Sequence, residues 1–494
     1  MKRNYRQAIR LLTAAVLGTM GFILVSCSPS DDSGDAQAAS EQVAKIGDDA
    51  ITKDELKQRL AQEIRPQRDE YGVSTGPVTP QSVLRTMLAE KAMVMEARKL
   101  GYLEDEALRS SIEKYRQRLL VNLFANDYVM ENVPVPEPNV AEQLQTDPNL
   151  TREQAEMKVR AQNAKPILNQ FYVDLQQKLK LEKVKDNFPK AASIHQRLLL
   201  RPAQPRGGTI FWIMNKQVRD ELSDAEKAMV LARYTGGEFT LHDWFNALTS
   251  MAPPGRPKDL GRPAGVERLL DRALPSVLWA AEAVARGYDK NPELLRQIKT
   301  REDMQLLGKI KGQKYREVQD PNADEIKAYF EAHEDLFADS AFLNVEQIWC
   351  PDLQTAQKAH KLLVDGDSLE SVNEAHGLLE QSKPHNVYPS SEGPFWDDLW
   401  KAEPNDVVGP LKGFYQTGIK WRVLRVLEKT PPVLKPYSKS LENQVKSALM
   451  TQRRQDIFAA YEAQLLQKYP HTIYADRIED IDPLEVTPVE QPPQ

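Results

Sequence analysis

The sequence predicts a mainly α protein carrying one inserted α+β module, on three observations. A short strand, a tight turn and a threonine-capped helix open two separate parts of the chain, at Asp48 to Leu56 and at Gly236 to Trp244. Helical runs follow each opening, with apolar residues three and four positions apart. Only between Phe342 and Glu428 do strand-like runs replace helical ones.

Residues 1–26 form a targeting segment. Lys2, Arg3, Arg6 and Arg10 make a basic start, and Leu11 to Val25 an apolar stretch. That stretch is short for a membrane span of about 20 residues. A Ser/Asp/Ala-rich tether, 27–42, follows without apolar periodicity. The first helical repeat occupies 43–200. In it Val43 to Ile46 read as a strand turning at Gly47-Asp48-Asp49, and Thr52 with Glu55 has capping-box spacing. A second helix starts near Gln81, with Leu84, Leu88, Ala92 and Met95 on one face, and ends at Glu96-Ala97-Arg98-Lys99-Leu100-Gly101-Tyr102. Gly101 suits a left-handed C-terminal cap. A third helix runs from about Asp105 to Asn132, and a long one from Arg152 to Val184.

A bridging segment, 201–235, carries an apolar patch at Ile210-Phe211-Trp212-Ile213-Met214. The second repeat, 236–340, returns to the same frame. Thr240 is its cap, Leu270, Leu274, Leu278 and Ala281 its apolar face, and Glu282-Ala283-Val284-Ala285-Arg286-Gly287-Tyr288 its helix end. The module, 341–429, reads as strand, two helices and two further strands. The strongest runs are Leu343 to Cys350 and Trp421 to Leu427. A return helix, 430–475, matches Arg152 to Val184 through Ile457, Phe458 and Tyr461 against Ile167, Phe171 and Tyr172. The acidic, Pro-rich tail 476–494 is expected to be disordered.

The net charge of −6 becomes more negative once the basic leader is removed, which argues against a nucleic-acid partner. Gly207-Gly208 and Gly236-Gly237 are turn signals rather than phosphate loops, so no nucleotide is expected. His360, His376 and His385 have spacings that fit neither a metal site nor a catalytic triad, and read as surface or helix residues. No metal and no cofactor are expected. Cys350 reads as a small buried hydrophobe at a strand end.

Leu24-Val25-Ser26-Cys27 resembles a bacterial lipobox, which implies a lipid on Cys27. By the Gram-negative sorting pattern, Ser28 after the cysteine implies the outer membrane, facing the periplasm. Asn344-Val345-Glu346-Gln347-Ile348, Leu362 to Leu369 and Val407-Val408-Gly409-Pro410-Leu411, with the closing strand Gly418 to Val426, resemble a parvulin-type peptidylprolyl isomerase domain. That family carries one histidine on each outer strand. Here the resemblance puts Gln347 at the first position, and either Trp421 or Arg422 at the second. The family's Gly-Gly-Asp-Leu-Gly turn is replaced by Ser391-Glu392-Gly393-Pro394-Phe395-Trp396. Phe395, Trp396, Leu399 and Trp400 read either as a proline or client pocket or simply as core or surface-binding residues.

The duplicated helical module, followed by a parvulin-like domain and a return helix, resembles the SurA, PrsA and PpiD group of extracytoplasmic foldases. The resemblance implies a lipid-anchored periplasmic chaperone of unfolded or nascent envelope proteins, with its isomerase histidines lost. An active isomerase with an altered site, and a dedicated scaffold of one secretion or assembly machine, are the alternatives.

Overall fold

The computed structural model describes residues 42–64, 78–200, 212–379, 382–416 and 418–485. Cys27 and the tether up to residue 41 lie outside the described residues. Of the bridging patch, Ile210 and Phe211 lie outside too, Ile213 is buried, and Trp212 and Met214 are exposed.

The chain is mainly helical with small antiparallel sheets. Its strands are β1 (Gln42–Ile46), β2 (Asp49–Thr52), β3 (Glu182–Lys183), β4 (Val230–Tyr234), β5 (Gly237–Thr240), β6 (Phe342–Cys350), β7 (His385–Val387), β8 (Val407–Tyr415), β9 (Gly418–Thr430) and β10 (His471–Ile473). They form three sheets, ordered β10-β1-β2, β3-β4-β5 and β7-β6-β9-β8. Contacts group the chain into two compact units. One is Glu106–Glu302. The other joins Ser28–Asp105 to Asp303–Gln494. This grouping crosses the linear division at 200 and 236 that the repeat suggests.

In the unit Glu106–Glu302, hairpin β4–β5 leads into a helix, Leu241–Ser250. The Thr240 hydroxyl accepts from the Asp243 amide at 3.3 Å, while the Asp243 carboxylate accepts from the Thr240 amide at 2.9 Å. This reciprocal cap satisfies two amides that the first turn leaves unpaired. Trp244 and Phe245 are fully buried against Leu270 and Leu274 of the helix Pro263–Ala285, and the Trp244 indole donates to the Val266 carbonyl at 3.0 Å. A second cluster gathers Phe124, Phe171 and Trp279 from three long helices, with Tyr128 stacked on Phe171 at 4.1 Å. The helix Pro263–Ala285 stops where Gly287 takes φ 84°, a left-handed conformation costly for residues with a Cβ.

The other unit begins with the equivalent features. Thr52 and Glu55 cap the helix Lys53–Glu63, and Gly101, at φ 73°, follows the helix Pro80–Lys99. The return helix, Lys439–Lys468, packs on Pro80–Lys99 and also buries Leu441, Val445 and Ala448 against Ile326 and Phe330. Both long helices are shorter than the sequence suggests. Arg152–Lys178 ends before Lys180, which takes φ 50°, and the return helix ends before Pro470, which disfavours the α conformation at Tyr469. A strand follows each. The segment expected to be a disordered tail is ordered from 476 to 485. Ile478 and Ile481 are buried there, and Lys53 pairs with Asp480 at 2.8 Å. Residues 486–494 lie outside the described residues.

His195 is buried, 5.9 Å from the Trp244 ring and 6.4 Å from that of Phe245, and its Nδ1 has no hydrogen-bond partner among the described residues. Burial, and then the charge of Arg256, pushes its pKa down to about 4. Between the ordinary value near 6.5 and 4, the unfolded chain binds a proton that the folded chain refuses, so folding weakens as pH falls through this window. We expect the unit Glu106–Glu302 to lose on the order of 3 kcal/mol of stability between pH 7 and pH 4 from this group. Chemical denaturation at both pH values should show the loss. His195→Gln should flatten it, and an unchanged slope in that variant would exclude the assignment.

Candidate functional site

β6 and β9 lie side by side at the centre of their sheet. Gln347 faces Leu424 across the pair, Trp349 faces Arg422, and Cys350 faces Trp421. Directly opposed residues share a face and successive residues alternate. Gln347, Trp349, Arg422 and Leu424 therefore lie on one side. Cys350 and Trp421 lie on the other, with Ile348 and Val423, against the helices Leu353–Val364 and Leu369–His376. Pairing register thus separates the two candidates for the second position. Arg422 shares a face with Gln347, whereas Trp421 packs under the helices with the Lys412 ammonium 5.6 Å from its ring centre.

Arg422 is only 1% exposed. Its Nη1 donates to Gln347 Oε1 at 2.9 Å, and its two Nη groups grip the carboxylate of Glu392, itself buried. The guanidinium lies 5.1 Å from the centre of the Trp349 ring. On another side stands Gly413, where a Cβ would come within 2.5 Å of Arg422 Nε and 2.8 Å of the Trp349 ring. Glu392 reaches the site from the short helical turn Pro389–Glu392, and the Tyr388 amide just before it donates to Ser391 Oγ at 3.0 Å. A buried guanidinium without an acid would be strongly destabilising, and this carboxylate neutralises it.

The chain of hydrogen bonds continues outward. The Gln347 amide side chain lies 3.0 Å from His385 Nε2, and His385 Nδ1 lies 3.0 Å from the Lys383 carbonyl. Because Gln347 accepts from Arg422 through its oxygen, its nitrogen donates to His385. In the matching tautomer the imidazole accepts at Nε2 and donates from Nδ1 to the Lys383 carbonyl. The Gln347 backbone amide donates to Ser382 Oγ at 3.0 Å. Arg422 thus donates both to Glu392 and to Gln347, and Gln347 passes the row on to His385, while Arg422 Nε has no hydrogen-bond partner among the described residues.

Of the four pocket candidates, Leu399 is fully buried with Leu343, Val345, Leu424 and Val426, and Trp396 and Trp400 pack on that cluster, stacked 5.2 Å apart. Phe395 is buried and meets Phe414 edge-on at 5.1 Å. Three of the four therefore build the core beneath this face. Trp349 and Tyr415, 5.2 Å apart, adjoin the polar row instead. Sequence reasoning read His385 as a surface or helix residue, and it is exposed at the start of β7; Glu392, Trp349 and Gly413 were given no role. A readable signal did exist: an arginine in the middle of an apolar strand run needs an acid, and Glu392 stands in the turn 391–396.

Cys350 is buried, and burial, then the charge of Asp352, pushes its thiol up to about 11. Among the described residues, no group of three or more His, Cys, Asp or Glu is placed to hold a metal, and no helix is long and apolar enough to cross a membrane.

No protein-family model matches the chain, and no curated protein matches it. The structure is similar to solved SurA-like chaperones and PrsA foldases at low identity. A SurA-like chaperone from Campylobacter jejuni aligns at 10% identity over 54% of this chain and 97% of its own, with a TM-score of 0.21. A foldase PrsA from Streptococcus pneumoniae aligns at 14% identity over 50% of this chain and 93% of its own, TM-score 0.22. PrsA from Bacillus subtilis aligns at 12% identity over 61% and 87%, TM-score 0.15.

The packing around the guanidinium makes Gly413 a sensitive position. Gly413→Ala should destabilise the module by roughly 1–3 kcal/mol, because Arg422 and Trp349 are both held in place. At Gly418 a Cβ meets nothing within 4 Å, and Gly418→Ala should stay within about 0.5 kcal/mol of the parent. Equal effects in thermal melts would contradict the described packing.

Proposed function

We propose that this chain is a client-holding chaperone of the bacterial envelope, built on the SurA and PrsA plan, whose isomerase-like module binds polypeptide without catalysing prolyl isomerisation. The observation that carries the reading is the buried Arg422–Glu392 pair beside Gln347. Rotating an X–Pro amide means overcoming a barrier of roughly 20 kcal/mol. Lowering it requires groups preorganised for the twisted amide. Here those groups are committed to one another. Holding an unfolded segment asks mainly for apolar contact, which the half-buried Tyr415 offers at this face.

The finer parts of the proposal rest on the sequence. Cys27 carries a lipid, Ser28 directs the protein to the outer membrane, and the clients are unfolded or nascent envelope proteins, held without a nucleotide. One observation favours a second reading: His385 keeps an imidazole 3.0 Å from Gln347, as an isomerase with a rearranged site would require.

The test measures two activities of the same preparation, acceleration of cis–trans exchange in a short X–Pro peptide and suppression of aggregation of an unfolded protein. The proposal expects the second without the first. Peptide isomerisation that disappears in Gln347→Ala or His385→Ala would establish the second reading. Neither activity would point to a dedicated scaffold. Labelling with a radioactive fatty acid tests the anchor separately, and label persisting in Cys27→Ala would refute it.

A further inference from the structure

The two three-stranded sheets are closed in a way that the linear repeat does not suggest. Strand β3, which follows the long helix of the first copy, pairs with β4 of the second copy's hairpin, Glu182 opposite Arg233. Strand β10, which follows the return helix of the second copy, pairs with β1 of the first copy's hairpin, Thr472 opposite Lys45. Neither hairpin is completed by its own copy.

The exchange is reciprocal bond for bond. Lys178, the last residue of the first long helix, pairs with Glu282 at 2.7 Å, and Lys468, the last residue of the return helix, pairs with Glu96. Six residues beyond each lysine, Val184 N–H donates to the Leu231 carbonyl at 2.9 Å and Tyr474 N–H to the Val43 carbonyl at 2.9 Å. Three residues later, Asn187 Nδ2 donates to the Val230 carbonyl at 2.8 Å and Arg477 Nη1 to the Gln42 carbonyl at 2.6 Å. Three donors on one copy thus meet three acceptors on the other, in the same order, twice. The left-handed glycines Gly101 and Gly287 follow the carboxylates Glu96 and Glu282 at the same interval.

We infer that the two copies have exchanged halves within one chain, so that each hairpin edge is a docking slot for the strand of the opposite copy's long helix. The slot is recognised by backbone pairing, as in β-strand addition, and by a lysine–carboxylate pair at the end of the helix. Its occupant is another part of this same polypeptide. The unit Glu106–Glu302 is therefore complete in itself and inserted whole, and the other unit closes only when the two ends of the chain meet.

Four exposed positions distinguish the exchange from its linear alternative. With Cys350→Ser as background, Lys45→Cys with Thr472→Cys and Glu182→Cys with Arg233→Cys report the exchanged closure. Lys45→Cys with Glu182→Cys and Arg233→Cys with Thr472→Cys report the linear one. Opposed residues of an antiparallel pair lie close enough for a disulfide to form. The full chain is oxidised, separated without reductant and mapped by peptide mass, which also tells Cys27 apart. The expected result is nearly complete bridging of the first two pairs inside single chains, at least tenfold above the other two. Bridging of the linear pairs within a chain would overturn the inference, and so would exchanged pairs that bridge only between chains. A variant whose reduced form does not melt cooperatively is replaced by the neighbouring opposed pair, Lys183 with Ala232 or Ile46 with His471. Absence of bridging in folded chains would overturn it as well.

Discussion

A carboxylate buried at the end of a helix fixes the geometry of the frame. Glu282 is 1% exposed and would be costly there without a countercharge. Burial works to raise its pKa, but hydrogen bonds from Lys178 and Arg286 outweigh that and hold it below the usual carboxylate range. Glu96 meets the same balance, with Lys468 and Tyr469 as donors. Both lysines close long helices. Lys180, at φ 50°, and Pro470 stop these helices just beyond the lysines, so each pair sits where the following strand begins. Left-handed Gly101 and Gly287 then turn the chain away without strain.

The same physics governs the module. A guanidinium in an apolar strand run is tolerated because Glu392 neutralises it, Trp349 lies against it and Gly413 leaves room for it. Once those partners are in place, the row Arg422, Gln347, His385 has each hydrogen bond assigned in one direction. The charge of Arg422 in this face is countered by Glu392. The Trp349 ring is buried, and Arg422 Nε is the one side-chain nitrogen of this arginine without a partner among the described residues.

Features set by neighbouring residues were legible in the sequence. The capping boxes at Thr52 and Thr240, the left-handed Gly101 and Gly287 and the central strands β6 and β9 depend on local spacing, and the structure has them. What distant residues decide was not legible. The strands β3 and β10 are too short to carry a pattern, and their partners lie far along the chain. Whether Trp421 or Arg422 joins Gln347 hinges on a register of one residue, which turns every side chain to the other face. Glu392 reaches the site only through the packing of its turn. Composition also misled at Ile478 and Ile481, which bury themselves despite acidic and proline-rich surroundings.

The proposed function rests on the pair Arg422–Glu392, and a double-mutant cycle measures it most directly. Arg422→Met, Glu392→Gln and the double variant are unfolded by denaturant and followed by the fluorescence of the module's tryptophans. Each single change leaves a buried charge unpaired and should cost roughly 3–5 kcal/mol. The double variant should lose far less than the sum, by a coupling of about 2 kcal/mol or more. Losses that add to within about 0.5 kcal/mol would mean that the two groups are not paired in solution, and that the face is open.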